Sequence, residues 1–221
     1  MIRPNPIRPH GNGRRSGLQR GQGLVEFAFL LPVFLILLLG MLEFGLAFTH
    51  NLTLEYATRE GARVGSALVN GGGQLGCASG QSPNSADVDP LIIAAVERVL
   101  TSPGSAIKIA NIPSIRIYKA TASGGEAGPV NVWTQSLGTG PVPPGGTQPL
   151  NYSLTSIGWQ ACSRNNSTAS PGPDSIGVSL VYSYNFTTGL KAISGFFGGG
   201  GIGPTIQMAD KTVMSLNPTN Q

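Results

Sequence analysis

The chain is poor in the side chains that most enzymes rely on. Its two histidines are His10 and His50, and its two cysteines are Cys77 and Cys162. Neither histidine lies near a nucleophile or a pair of acids, so a Ser-His-Asp arrangement has nothing to build on. No cysteine has a CxxC partner or a nearby histidine, which argues against a metal site. Asp87 and Asp89 look like half a calcium loop, but Pro90 breaks the EF-hand spacing, so a helix cap accounts for them better. The run Gly198–Gly201 is not followed by Gly-Lys-Ser/Thr and therefore reads as a connector rather than a phosphate loop. No catalytic residue, cofactor or metal is expected.

Acidic residues are missing from the first 20 positions, where Arg3, Arg8, Arg14, Arg15 and Arg20 give a charge of +5. The rest of the chain carries 9 basic and 10 acidic groups, so the overall +4 belongs to the arm alone. A nucleic-acid-binding body needs a basic patch on a folded surface, and this distribution excludes one. An arginine-rich arm ahead of an apolar run obeys the positive-inside rule: the arm stays cytoplasmic and the long C-terminal part is exported. The arm is rich in Pro, Gly and Arg, without periodicity, and predicts no packed structure.

Charge is also missing from Phe27 to Leu42, which is nearly all apolar. With its flanks, the stretch from about 24 to 46 is long enough to cross a bilayer as one helix, since about 20 residues suffice. Glu26 stands at its start. A carboxylate in lipid costs roughly 2.5–3.5 kcal/mol on insertion scales, so it needs a partner or a task. Proline is absent from Glu43 to Val69, and the helix is expected to continue to about residue 69, where Asn70-Gly71-Gly72-Gly73 ends it. Glu55/Arg59 and Glu60/Arg63 are spaced to pair on the helix surface. Leu52, Tyr56, Arg59 and Arg63 fall on one side. Ala57, Gly61 and Gly65 form a stripe of small residues at which another backbone can approach. His50, just outside the membrane edge, reads as a surface residue.

Beyond residue 70, the pattern predicts a helix over 87–101 capped by Asp87 or Asp89, with Pro90 in its first turn. Two short strands are expected around Asn111–Pro113, from Ile107, Ile109 and Ile112 and from Ile115 and Ile117. Val130, Val132 and Trp133 suggest another, and residues 136–150 a loop. The clearest strand is 176–187, with Val178, Leu180, Tyr182, Tyr184 and Phe186 alternating, and a last one spans about 204–216. In an oxidising compartment, Cys77 and Cys162 would form one disulfide closing a loop worth roughly 4–5 kcal/mol in the chain-entropy model; two buried thiols are the alternative. The fold class is α+β, a long N-terminal helix with a small exported antiparallel sheet of four or five strands. The chain divides into a basic leader (1–21), the long helix (22–69) and an exported domain (70–221).

Several of these residues together resemble a known family. Arg20-Gly21-Gln22-Gly23-Leu24-Val25-Glu26-Phe27 leads into an apolar helix carrying Pro32, then Glu43-Phe44-Gly45, then Ala57-Thr58-Arg59-Glu60-Gly61-Ala62-Arg63. This is similar to the TadE-like family of pilus-assembly pseudopilins over about residues 17–66. The resemblance implies a pilin-like component of the tight-adherence (Flp, type IVb) pilus, anchored in the cytoplasmic membrane. Its implied partners are other pilin or pseudopilin subunits, the prepilin peptidase, the inner-membrane assembly platform and the bilayer. It also implies cleavage between Gly21 and Gln22, which puts Glu26 fifth and Phe27 sixth in the mature chain. Removing the arm exposes an α-amino group about one turn from Glu26, able to pair with the carboxylate of a neighbouring subunit. An N-terminal glutamine can cyclise, which removes that amine. For Pro32, Ala57, Arg59, Glu60, Gly61, Arg63 and Gly65 the expected role is helix packing or assembly. Two other readings compete: a membrane-anchored binding or adhesive domain that never enters a filament, and a soluble domain released at Gly45-Leu46-Ala47.

Overall fold

The structure is a computed structural model that describes residues 19–68, 84–187 and 205–217. The arginine arm with His10, the Asn70–Gly73 stop, Cys77, and Phe196, Phe197 and Gly198–Gly201 lie outside the described residues. Helix α1 runs over Gln19–Ala67 and α2 over Ser85–Leu100. Five strands follow: β1 (Ser114–Ala120), β2 (Glu126–Gln135), β3 (Tyr152–Ser156), β4 (Ser175–Asn185) and β5 (Thr205–Ser215). They form one antiparallel sheet in the order β3-β2-β1-β4-β5. The α+β architecture expected from the sequence is the one observed.

Alternation in β4 decides which face of the sheet is buried. Val178, Leu180, Tyr182 and Tyr184 point inward with Ile115 and Ile117 of β1, and the helices cover them. Alternate side chains on a strand share a face, so this one period places most of the core. Gly177 interrupts β4 for a packing reason. A Cβ there would lie 2.2 Å from the Tyr118 ring, which fills the space a side chain would occupy. Glycine in a strand often marks such a close approach.

α1 has two different halves. Residues from Leu24 to Leu42 are largely exposed and apolar, and this helix is long and apolar enough to cross a membrane. Glu43 is the first fully buried residue along α1, followed on the same side by His50, Leu54, Ala57, Gly61 and Gly65. The spacing of three and four is that of one helical face. It packs on α2, β4 and β5.

The segment Ile107–Ile112 does not form a strand. Ile109–Asn111 is a 3₁₀ turn, and β1 starts only at Ser114. Pro113 has no N–H to give a ladder, and the Ile112 carbonyl accepts from Tyr152 Oη at 3.1 Å. The start of α2 also differs. Its cap is Asn84, whose Oδ1 accepts from the Ala86 N–H at 3.2 Å, while Asp87 lies in the first turn and Asp89 is buried. β3 answers to no strand signal in the sequence: its burial pattern is one inward Tyr152 followed by half-exposed or exposed residues.

Candidate functional site

Glu26 sits near the start of α1, one turn after Gln22, whose Nε2 donates to its Oε1 at 3.2 Å. Around it, Leu24, Val25 and Phe27 are exposed, the last at 60%. A face this apolar is costly in water, so it calls for lipid or another helix. Pro32 lies inside α1 without ending it. Its missing N–H is tolerated in membrane helices when neighbours compensate.

At the outer end of the apolar segment stands a clamp. Glu43 is 3% exposed, and its Oε1 accepts from the Thr187 N–H at 3.0 Å and from the Tyr184 hydroxyl. Burial, reinforced by this carboxylate, pushes the Tyr184 hydroxyl up to about 12. The end of β4 is thus tied to α1 by two hydrogen bonds to one carboxylate oxygen. Seven residues on, His50 is 6% exposed and lies edge-on to Tyr182 and Tyr184, with centroids 5.5 and 5.0 Å away. The expectation of a surface histidine is overturned. His50 falls on the buried side of α1, and the tyrosines that cover it come from β4. Burial lowers its pKa, opposed by the Ala106 backbone and by Glu43.

The stripe of small residues is used within the chain. A Cβ on Gly61 would meet Val96 Cγ2 at 2.5 Å, and one on Gly65 would meet Ile176 Cδ1 at 2.6 Å. Ala57 is fully buried beside them. What approaches is a set of side chains from α2 and β4, not another backbone. Thr58, also fully buried, hydrogen-bonds to Asp210 and, at 2.9 Å, to Thr212, which holds β5 against α1.

Beyond Glu43, the charged residues of the outer half stay on the surface. Arg59 pairs with Glu55, and Glu60 takes two bonds of 2.8 Å from Arg63 and one of 2.6 Å from Arg98 of α2. The Arg63 hydrogen bonds are the main reason the Glu60 carboxyl sits below its ordinary value. Leu52, Tyr56, Arg59 and Arg63 do share one exposed side.

A second polar centre went unseen in the sequence. Asn131 fills all four of its hydrogen-bonding positions. Nδ2 donates to Asp89 Oδ2 (2.6 Å) and the Trp159 carbonyl (2.7 Å), while Oδ1 accepts from the Gly158 and Trp159 N–H groups. Arg164, 1% exposed, meets Asp89 Oδ1 at 2.6 Å and stacks over the Trp159 ring at 4.7 Å. This hub borders a cleft of about 390 Å³ next to the start of α2, with Trp133, Leu154, Ile157 and Cys162 also on its wall. Its carboxylate is already bonded to Arg164 and Asn131, an arrangement that fastens a loop to a helix. Among the described residues no cluster of histidine, cysteine, aspartate or glutamate could hold a metal. Cys162 is buried on the turn Ala161–Ser163, and its expected disulfide partner Cys77 lies outside the described residues.

No curated protein and no solved structure matches the chain. A family model does match, over a segment that takes in the apolar stretch, Glu43 and Arg59–Arg63. The matched residues are 21–63, which are similar to the family described as TadE-like protein.

Proposed function

We propose that this chain is a membrane-anchored, pilin-like structural subunit of a tight-adherence pilus assembly, cut by a prepilin peptidase between Gly21 and Gln22. Its arm is cytoplasmic, residues 24–42 span the bilayer, and the body from Glu43 onward is exported. The span is shorter than the 24–46 read from hydropathy because Glu43 is already engaged by Tyr184 and Thr187. At ~1.5 Å per residue it is ~28 Å long, which fits a hydrocarbon core of about 30 Å. The Cys77–Cys162 disulfide is part of the same proposal, since the exported side is oxidising.

The observation that carries this reading is the position of Glu26. It is an acid on an apolar, exposed helix face at the depth where a neighbour's new amino terminus would arrive. Pairing relieves the cost of a charge in lipid, and a stack of such helices supplies the pair. No catalytic role is assigned to the chain; it is the substrate of the peptidase.

Intact mass of the native protein tests the cleavage, with a chain beginning at Gln22 expected. Glu26→Ala should insert normally yet lose co-purification with pilin subunits. A native chain that keeps its arginine arm, together with an indifferent Glu26→Ala variant, would establish a membrane-anchored domain outside any filament.

A further inference from the structure

β4 runs along the side of α1 toward the end of the apolar stretch. Ile176 lies at Gly65, Val178 at Gly61, and Tyr182 and Tyr184 against His50, while Tyr184 and Thr187 reach Glu43. The helix from Gly65 back to Glu43 rises about 33 Å, and the extended chain from Ile176 to Thr187 about 36 Å. The two elements therefore share nearly one axis, and Thr187 arrives where the span ends. Only part of the sheet comes this far. β1 pairs with β4 from Ile176 to Leu180, whereas β5 stays paired with it through Asn185. Beyond Leu180 the two strands form a ribbon of their own, and an isolated ribbon is marginal in water. One face of it is held by α1, with Tyr182 and Tyr184 buried. Asn185, Thr187, Thr205 and Ile206 at its end are exposed, Ile206 at 41%. Neither Val181–Thr187 nor Thr205–Ala209 holds an acid or a base. The first charges on β5 are Asp210 and Lys211, opposite Leu180 and Ser179, so Asp210 stands roughly 23 Å from Thr187 along the ribbon.

We propose that the end of this ribbon is a second membrane contact, seated in the lipid headgroup layer on the body's side of the bilayer. The proposal rests on the span of the pilin-like reading above, which places the hydrocarbon boundary at Glu43. The polar layer outside that boundary is about 5–7 Å thick. At ~3.3 Å per residue, Thr187, Phe186, Asn185 and the Thr205 paired with it fall inside this layer. Ile206 lies ~10 Å from Thr187, a side chain's reach above it. The chemistry of the rim suits lipid. Tyr184 turns its phenol oxygen toward the boundary, and Phe186 packs edge-on against its ring at 5.8 Å. Aromatic side chains with one apolar and one polar end concentrate at membrane interfaces. Headgroups and their water can also bond the backbone groups at the ribbon's end, and the lack of charge leaves nothing that needs a counter-charged protein. Depth decides the partner as well. The two bonds to Glu43 hold the rim at the bilayer surface, so another subunit would have to displace lipid to reach it. A single helix leaves the body free to tilt over the membrane, and a ribbon resting beside α1 resists tilting toward that side.

The test reads tryptophan emission from the full-length protein in phosphatidylcholine vesicles, with and without lipid that carries a nitroxide on its headgroup. Single variants each add one tryptophan at an exposed position: Thr205→Trp and Ile206→Trp at the ribbon's end, Lys211→Trp higher on β5, and Leu37→Trp inside the span. Trp133 and Trp159 are common to all of them and are subtracted with the wild-type signal. Thr205→Trp and Ile206→Trp should lose most of their added emission to the nitroxide, and Lys211→Trp should keep its own. Leu37→Trp should be quenched by lipid brominated deep in its acyl chains. The proposal is overturned if Thr205→Trp and Ile206→Trp are quenched no more than Lys211→Trp, whether water, residues 188–204 or another subunit then covers the rim. With Leu37→Trp still quenched, that result removes the second contact and leaves the span standing. A Leu37→Trp chain that escapes the brominated lipid overturns the span and the contact together.

Discussion

Replacing Glu43 should loosen the end of β4 from the long helix without unfolding either. Both bonds at this clamp, from the Tyr184 hydroxyl and the Thr187 N–H, end on the same oxygen, Oε1. Hydrogen bonds to charged groups contribute about 1.5–3 kcal/mol each, and a buried donor left unpaired keeps its desolvation cost. Glu43→Ala should therefore destabilise the local junction by about 2–4 kcal/mol once partial hydration of the freed groups is allowed for. Glu43→Gln keeps one carbonyl oxygen in place for both donors, so its cost should be about 1 kcal/mol, the loss of charge assistance alone. The assay is amide hydrogen exchange over Tyr182–Thr187 in the full chain held in a bilayer. With tenfold per ~1.4 kcal/mol, Glu43→Ala should speed exchange there by about thirty- to several-hundred-fold, and Glu43→Gln by about fivefold. Exchange in β1 and α2 should stay near wild type. If Glu43→Ala leaves Tyr182–Thr187 as protected as before, the clamp is not what seats the body on the span, and the boundary drawn at Glu43 loses its support.

Further substitutions separate packing from charge. Gly61→Ala gains about 1 kcal/mol of helix propensity but drives its methyl into the β-branched Val96 at 2.5 Å, an overpacking cost of about 1–3 kcal/mol. Gly65→Ala meets the terminal carbons of Ile176 at 2.6 Å and Ile92 at 3.0 Å, which turn aside more readily than a valine methyl, so denaturant melts should rank Gly61→Ala below Gly65→Ala. Arg164→Met alone should cost about 3–5 kcal/mol by stranding Asp89, and Asp89→Leu in the same chain should recover part of it, read by tryptophan fluorescence from Trp159 beneath Arg164. His50 is buried with its pKa below the ordinary 6.5, so the unfolded chain binds its proton first. Its contribution is complete above pH 6.5 and falls as pH drops, by at most about 1.4 kcal/mol per pH unit, and His50→Phe should flatten that slope in melts between pH 5 and 7.

What the sequence made legible was whatever repeats at short range. The apolar helix, the outer half of α1, α2, β4 and β5 each carry a period of their own, and each was found within a few residues of its observed bounds. Ile107 and Ile109 show how a period misleads: isoleucines at alternate positions imitate a strand, yet Pro113 stops the ladder and a turn forms instead. β3 failed in the opposite sense, because an edge strand with one buried residue needs no alternation to pair with β2.

The polar contacts were illegible for a single reason, which is distance along the chain. Glu43 and Tyr184 are 141 residues apart, Asp89 and Arg164 are 75, and nothing local to either pair marks them as partners. His50 lies just outside the predicted membrane edge and reads as exposed on that ground, although its position seven residues after Glu43 places both on one helix face. That phase was available in the sequence. It becomes informative only when one member of the face is known to be buried, and the burial is supplied by tyrosines of β4. The same phase places Phe44, Phe48, Leu52 and Arg59 on the opposite side. One helical period therefore sorts α1 into a face bound to its own domain and an apolar face that the domain does not cover.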